Sequence, residues 1–158
     1  MRFIETIFIH CTAGFGDVGA IRKHWKSMGW KSDGYHFFIY EDGTVVKLNG
    51  LDKVTNGVAN HNSKSVHISY QGGVEKKNVT KAMDTRTEAQ KAAILDTIFL
   101  VIEELKLTQK VSGLQIKGHR DISPDKNLNG KVDSWERIKE CPSFDAISEY
   151  SWITEQAA

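Results

Sequence analysis

The chain has 158 residues, of which 40% are hydrophobic and 26% are charged, and this length suits one globular domain with a core of its own. Its 21 lysines and arginines nearly balance 20 acidic residues, so the charge argues against nucleic acid or an anionic membrane as a partner. No apolar run is long enough for a membrane span, and Glu5 comes too early for the core of a signal peptide. We therefore expect synthesis in the cytoplasm without a classical export signal, no membrane insertion and, by default, a monomer.

The first predicted elements are a strand and a helix. Residues 3–10 are apolar and partly β-branched, which predicts a buried strand that ends at His10. Because neighbours along a strand point to opposite faces, His10 should face a cleft and Cys11 the core. Asp17 then predicts the N-cap of a helix. The apolar residues of this helix recur at helical spacing: Ile21, Trp25 and Met28.

A hairpin and a further strand follow the first helix. Residues 34–48 predict two strands around an Asp-Gly turn, with Tyr35 near the mouth of the hairpin. A loop rich in Asn, Gly and Ser follows at 49–64. Residues 66–70 then alternate between apolar and polar side chains, which predicts another strand.

A long helix, one more strand and a closing helix complete the predicted elements. Thr87 and Gln90 predict a capping box at the start of the long helix. Its core-facing stripe is predicted to be Ala92, Leu95, Ile98, Phe99, Ile102 and Leu105. Residues 114–119 predict a strand that delivers His119, and residues 142–152 predict a helix. The residues of that helix expected to pack on the sheet are Phe144, Ile147 and Tyr150. The predicted fold class is α/β, a single domain with a mixed central β-sheet flanked by helices.

We predict a zinc site from His10, His119 and Cys141. Zinc binds imidazole nitrogen and thiolate readily, and three protein ligands with an open fourth position are typical of a catalytic centre. His61 and His67 have no partner at ligand spacing in their own segments, so we place both of them outside the site.

Residue types alone leave other interpretations of this site open. Two histidines and a cysteine also describe a blue-copper centre, which would need an axial methionine. None of the three methionines lies near His119 or Cys141 in the sequence. Cys11 and Cys141 exclude a disulfide framework but allow one bridge, and a free-thiol count on the metal-free protein would separate that redox interpretation from zinc binding.

Five short motifs, taken together and in order, carry a family resemblance. They are IHCTA at 9–13, GYHF at 34–37, EDGTV at 41–45, GHRD at 118–121 and KECPSFD at 139–145. This set resembles the type 2 N-acetylmuramoyl-L-alanine amidases, in particular the small phage lysozyme-type amidases, which are related to peptidoglycan recognition proteins. The resemblance extends from about residue 4 to residue 150.

The resemblance implies a zinc-dependent peptidoglycan hydrolase. The positions that match the family's zinc ligands are His10, His119 and Cys141, and those that match its catalytic residues are Tyr35 and Lys139. The implied reaction is hydrolysis of the amide between the lactyl group of N-acetylmuramic acid and L-alanine of the stem peptide, with peptidoglycan of the bacterial cell wall as the partner. The alternative is a non-catalytic peptidoglycan-binding module of the same fold, and the presence of Cys141, Tyr35 and Lys139 favours the enzyme.

The resemblance is weaker along residues 57–68. The family usually has a histidine after the first glycine of this stretch and a glycine at the position of His67. Asn62 and Ser65 do match, so we expect Asn62 to contact the substrate from the wall of the cleft.

The stretch 125–136, which lies between His119 and Cys141, matches the EF-hand loop pattern. The oxygen ligands for calcium would be Asp125, Asn127, Asn129, the carbonyl of Lys131, Asp133 and Glu136. Pro124 precedes the stretch and no clear entering helix does, so a polar turn that only resembles such a loop is the other interpretation. If calcium binds, we expect it to brace the segment that carries Lys139 and Cys141.

Overall fold

One mixed sheet lies at the centre of the protein. The computed structural model describes residues 1–157. Its strands are β1 (Thr6–Cys11), β2 (Phe37–Ile39), β3 (Val45–Lys47), β4 (Ser65–Tyr70) and β5 (Gln115–Gly118). They lie side by side in the order β3-β2-β4-β1-β5. Neighbouring strands are parallel except for β2 and β3, which form the predicted antiparallel hairpin. The fold class predicted from the sequence is therefore confirmed.

Helices flank this sheet, and two of them begin at the predicted caps. The α-helices of the described chain are α1 (Val18–Ser27), α2 (Glu88–Lys106) and α3 (Ala146–Ala157). Asp17 caps α1, since its carboxylate accepts the amide proton of Ala20. Thr87 and Gln90 form the capping box of α2 by accepting each other's backbone N–H groups. Between residues 1 and 157, no helix is both long and apolar enough to cross a bilayer.

The apolar N-terminal strand is central in the sheet. β1 lies between β4 and β5 and is buried on both faces, which explains its continuous apolar run. Cys11 is buried, as predicted. The strand begins later than predicted, at Thr6, because β4 and β5 supply pairing partners only from that residue onward, and Phe3 is exposed.

The helix α2 covers the sheet with a face that differs in part from the predicted one. Its buried residues are Gln90, Ala93, Ile94, Thr97, Ile98, Val101, Ile102 and Leu105. The prediction was right for Ile98, Ile102 and Leu105 and wrong for Ala92 and Phe99, which are exposed. Phe99 faces outward because the helix packs on the sheet through the neighbouring positions; its ring instead meets that of Trp152 on α3, with the centroids 6.0 Å apart.

The closing helix starts later than the sequence suggested. Ser143 has a φ of +70°, which is incompatible with an α-helix, so residues 142–145 form a turn and α3 begins at Ala146. Tyr150 is buried, as predicted, but Ile147 is 45% exposed. The prediction for Ile147 was wrong because the helix packs through Ala146, Tyr150 and Ile153, and Ile147 lies to one side of that buried stripe.

Candidate functional site

The three predicted zinc ligands meet at the carboxyl ends of β1 and β5. These strands are parallel neighbours, and their register pairs Ile9 with Gly118. The next residue along the chain in each case is a histidine: His10 is still in β1, whereas His119 begins a short 3-10 turn directly after β5, one residue beyond the end of the strand. His10 and His119 therefore lie side by side, with ring centroids 5.1 Å apart. Cys141 joins them from the turn that precedes α3, and its Sγ lies 3.7 Å from Nδ1 of His10.

This donor set fits a tetrahedral zinc ion. The candidate ligand atoms of His10, His119 and Cys141 lie within 4.8 Å of one another, and among residues 1–157 they form the only such group of three or more. Zn–N and Zn–S bonds of about 2.1 and 2.3 Å at a tetrahedral angle place nitrogen and sulfur about 3.6 Å apart. The 3.7 Å between His10 Nδ1 and Cys141 Sγ agrees with that separation.

The imidazoles and the thiol of the cluster differ in how readily they can bind a metal. Burial, and after it the charge of Lys139, lowers the pKa of His119 to about 4. Burial also lowers the pKa of His10. Both rings are therefore neutral at neutral pH, which is the form that binds a metal. Burial raises the pKa of the Cys141 thiol, so zinc binding must release a proton from it.

Tyr35 and Lys139 lie in the same cleft as the cluster. A cavity of about 230 Å³ is lined by both of them together with His119 and Cys141. The Tyr35 ring lies 5.1 Å from the ring of His10, measured between centroids. Burial, and after it the neighbouring thiols, raises the pKa of Tyr35, so the phenol keeps its proton at neutral pH. Lys139 is exposed at the rim, where its ammonium group is free to meet a substrate.

A wider cleft of about 650 Å³ adjoins this cavity and shares His119 and Lys139 with it. Trp30 and Ile138 contribute apolar surface to its walls, and Asn62 lies in the wall where the sequence placed it. The carboxamide oxygen of Asn62 accepts the amide proton of Val58 at 2.8 Å, which orients the side chain and leaves its NH2 group without a partner from this contact. A substrate contact by Asn62 stays a prediction.

Two buried histidines that were not predicted to contact the cluster lie next to it. Nδ1 of His67 is 2.9 Å from Nε2 of His10. His36 lies beside His67, and its Nδ1 accepts the backbone amide proton of His67 at 3.0 Å. His67 does not belong to the ligand group, as predicted, but its contact with a ligand was missed. The parallel pairing of Phe8 with His67 creates this contact, and strand register is not visible in the sequence.

The predicted calcium loop forms a turn whose polar groups bind one another. The residues predicted as ligands, all on this turn, are Asp125, Asn127, Asn129, Lys131, Asp133 and Glu136. Gly130 has a φ of +89°, a conformation that favours glycine, as the pattern requires. Asp133 accepts hydrogen bonds from the amides of Asn127 and Asn129, and Glu136 accepts three from backbone N–H groups of the loop. Calcium binding here stays a prediction.

The fold and the side-chain cluster define an α/β protein with a His-His-Cys group that could hold a metal ion at the carboxyl edge of its sheet. A family model described as N-acetylmuramoyl-L-alanine amidase matches residues 1–142. The chain belongs to this family, as the sequence motifs predicted.

Relatives and solved structures agree with this assignment. Peptidoglycan-recognition protein SC2 of Drosophila melanogaster is 31% identical over an alignment of 120 residues that covers 73% of this chain and 60% of that protein. The chain thus spans less than two thirds of that relative. An uncharacterized protein of Haemophilus influenzae is 31% identical over 115 residues, or 73% of this chain and 90% of the relative.

Two solved structures illustrate the shared fold. The N-acetylmuramoyl-L-alanine amidase LysC from Clostridium intestinale has a TM-score of 0.68 at 19% identity, covering 96% of this chain and 86% of that one. The Ph2119 endolysin from the Thermus scotoductus bacteriophage Ph2119 has a TM-score of 0.62 at 19% identity, covering 100% and 87%. At these identities the likeness establishes the fold.

Proposed function

We propose that this protein is a zinc-dependent peptidoglycan hydrolase that cleaves the amide between the lactyl group of N-acetylmuramic acid and L-alanine of the stem peptide. The observation that carries the proposal is the meeting of His10, His119 and Cys141 with Tyr35 and Lys139 in one cleft. Membership of the amidase family supports it. A module that only binds peptidoglycan would have no need of this combination of metal ligands, phenol and ammonium group.

His10, His119 and Cys141 would hold the zinc ion. When bound, zinc would supply a Lewis acid for the scissile carbonyl and lower the pKa of a water molecule to about 7. The protein contributes two neutral imidazoles and a thiol that loses its proton on metal binding, so the site retains a net positive charge after loading. That charge favours a substrate carbonyl oxygen as it becomes negative.

Tyr35 and Lys139 would act on the same oxygen from the protein side. Because burial raises the pKa of Tyr35, its phenol keeps a proton and can donate a hydrogen bond to the developing anion. Lys139 brings a positive charge to the rim of the cavity, where it can stabilise the tetrahedral intermediate. Both groups would interact with the negative charge that develops on the carbonyl oxygen during the reaction. Interactions that are stronger in the transition state than in the bound substrate are the ones that raise the rate.

The partner proposed for the wider cleft is peptidoglycan or a fragment of it. A solved complex of peptidoglycan recognition proteins LCa and LCx with tracheal cytotoxin has the same fold, with a TM-score of 0.66 at 22% identity and coverage of 96% of this chain and 82% of that one. The cleft offers apolar walls from Trp30 and Ile138 and a polar group from Asn62, a mixture that suits a sugar bearing a peptide. The proposed place of action is the bacterial cell wall, with the protein acting as a monomer.

Hydrolysis of purified peptidoglycan tests the proposal. Wild type, Cys141→Ala and Cys11→Ala are compared for release of stem peptides with free L-alanine N-termini, and zinc is measured in each sample. Cys11→Ala is the matched control, because Cys11 is a neighbouring buried cysteine outside the ligand group. We expect release and bound zinc in wild type and Cys11→Ala and neither in Cys141→Ala. Binding of the polymer by all three without any cleavage would instead establish the recognition module.

A further inference from the structure

We propose that His67 is a positioning residue of the metal centre: it accepts a hydrogen bond from Nε2 of His10 and thereby directs Nδ1 of His10 toward the zinc ion. The inference rests on the proposed zinc site and concerns a residue outside the ligand set. It assigns a role to a side chain at which the sequence departs from the family pattern.

The two ring nitrogens of His10 face different partners. Nδ1 lies 3.7 Å from Sγ of Cys141, whereas Nε2 lies 2.9 Å from Nδ1 of His67. Only Nδ1 is therefore placed to share a metal ion with the thiolate. A neutral imidazole that binds a metal through one nitrogen carries its proton on the other. Nε2 of His10 is then the donor and Nδ1 of His67 the acceptor.

Stacked rings and backbone contacts hold His67 in this orientation. Its ring stacks on Phe8 at 5.7 Å and on His36 at 5.8 Å between centroids, with interplanar angles of 11° and 18°. Its backbone N–H donates to Nδ1 of His36, and its carbonyl accepts the amide proton of His36. Nε2 of His36 donates to the carbonyl of Lys53 at 2.9 Å. The acceptor offered to His10 is thus fixed on several sides, as an orienting group must be.

Gly57 provides the space that the His67 ring occupies. A Cβ atom at Gly57 would lie 2.3 Å from Nδ1 of His67 and 2.4 Å from its Cγ, far inside van der Waals contact. Any side chain at this position would push the ring away from His10. The two positions are therefore coupled, and both lie in the stretch 57–68 where the family resemblance is weakest.

Fold stability alone does not account for His67. Its Nε2 is buried and has no hydrogen-bond partner among residues 1–157, whereas buried polar atoms are normally paired. A phenylalanine would fill the space between its ring neighbours and remove this unpaired atom, but it would leave Nε2 of His10 without its partner. The contact with His10 is what distinguishes a histidine from an apolar ring at this position.

Zinc affinity of the metal-free protein tests the inference without reference to activity. His67→Phe keeps the ring and removes the acceptor, while His67→Asn keeps an acceptor oxygen near the place of Nδ1. Competition with a chelator should show zinc affinity about 10- to 100-fold weaker for His67→Phe, with most of the affinity kept by His67→Asn. The visible spectrum of the cobalt-loaded protein should change in His67→Phe only. The thermal unfolding temperature of metal-free His67→Phe should stay close to that of wild type, because the variant exchanges one unpaired buried nitrogen, Nε2 of His67, for another, Nε2 of His10.

Other outcomes would overturn the inference, and they separate it from the proposed function. Wild-type affinity and an unchanged cobalt spectrum in His67→Phe would refute the role of His67 and leave the zinc site standing. Equal losses in both variants would show that the acceptor is not what matters. Wild type that binds no zinc would overturn both proposals. If His67→Phe does not fold, Gly57→Ala is the second variant, because its added methyl group displaces the His67 ring and should weaken zinc binding similarly. Unchanged zinc affinity in Gly57→Ala would also refute the inference.

Discussion

Replacing His36 with asparagine should flatten the pH dependence of stability in the acid range. Burial lowers the pKa of His36 to about 4 from its ordinary value of 6.5. Because the unfolded chain takes up this proton at a higher pH than the folded protein, the stabilisation is fully present above pH 6.5 and is lost as the pH falls toward 4. The pKa difference of about 2.5 units, at about 1.36 kcal/mol per unit, corresponds to a contribution on the order of 3 kcal/mol to the free energy of unfolding.

Asparagine is the suitable replacement because its carboxamide oxygen can accept the His67 amide proton, as Nδ1 of His36 does at 3.0 Å, and it does not titrate. The assay is urea unfolding of the metal-free proteins from pH 7 down to about pH 4, with a chelator present. The free energy of unfolding of wild type should fall by on the order of 3 kcal/mol more across this pH range than that of His36→Asn. His24→Asn, at an exposed position of α1, should follow wild type. Parallel profiles for wild type and His36→Asn would refute the reasoning.

Three further predictions concern the phenol of Tyr35, the cleft wall and the loop at residues 125–136. Tyr35→Phe should lower the hydrolysis rate about 100-fold with zinc content unchanged; an unaltered rate would remove the phenol from the mechanism. Arg2 donates to four backbone carbonyls between residues 51 and 65, so Arg2→Ala should speed amide hydrogen exchange there, and unchanged exchange would contradict this. If residues 125–136 bind calcium, removing calcium alone, with zinc kept in excess, should lower the unfolding temperature and the hydrolysis rate. No change in either quantity would reject the calcium site.

Those parts of the fold and the site that depend on local signals could be predicted from the sequence. Asp17 and Thr87 identify helix starts through side-chain oxygens that accept nearby amide protons, and such contacts span only a few residues. His10 and His119 each follow a short apolar run, so their place at strand ends could be predicted as well. Their meeting with Cys141 needed the family resemblance, because residue types alone also allowed copper or a disulfide.

Features that depend on packing between distant segments could not be predicted in this way. Phe99 is apolar and spaced correctly for the buried face of α2, yet the helix packs on the sheet through neighbouring positions. Ile147 fails for the same reason on α3. His67 has no ligand partner within its own segment, and only the pairing of β4 with β1 brings it to His10. Each case turns on the relative placement of two elements, which no local pattern records.

The buried histidines connect the metal centre to the wall of the cleft. His10 contacts His67, His67 is held by His36, and Nε2 of His36 lies 3.1 Å from a guanidinium nitrogen of Arg2. Arg2 in turn donates hydrogen bonds to the carbonyls of Asn62 and Ser63, and Asn62 lines the wider cleft. Since Nε2 of His36 already donates to a carbonyl, the guanidinium of Arg2 contacts it without donating a hydrogen bond to it. Because these side chains are buried and in contact, we expect a displacement of the loop to shift the ring of His10, a proposed zinc ligand.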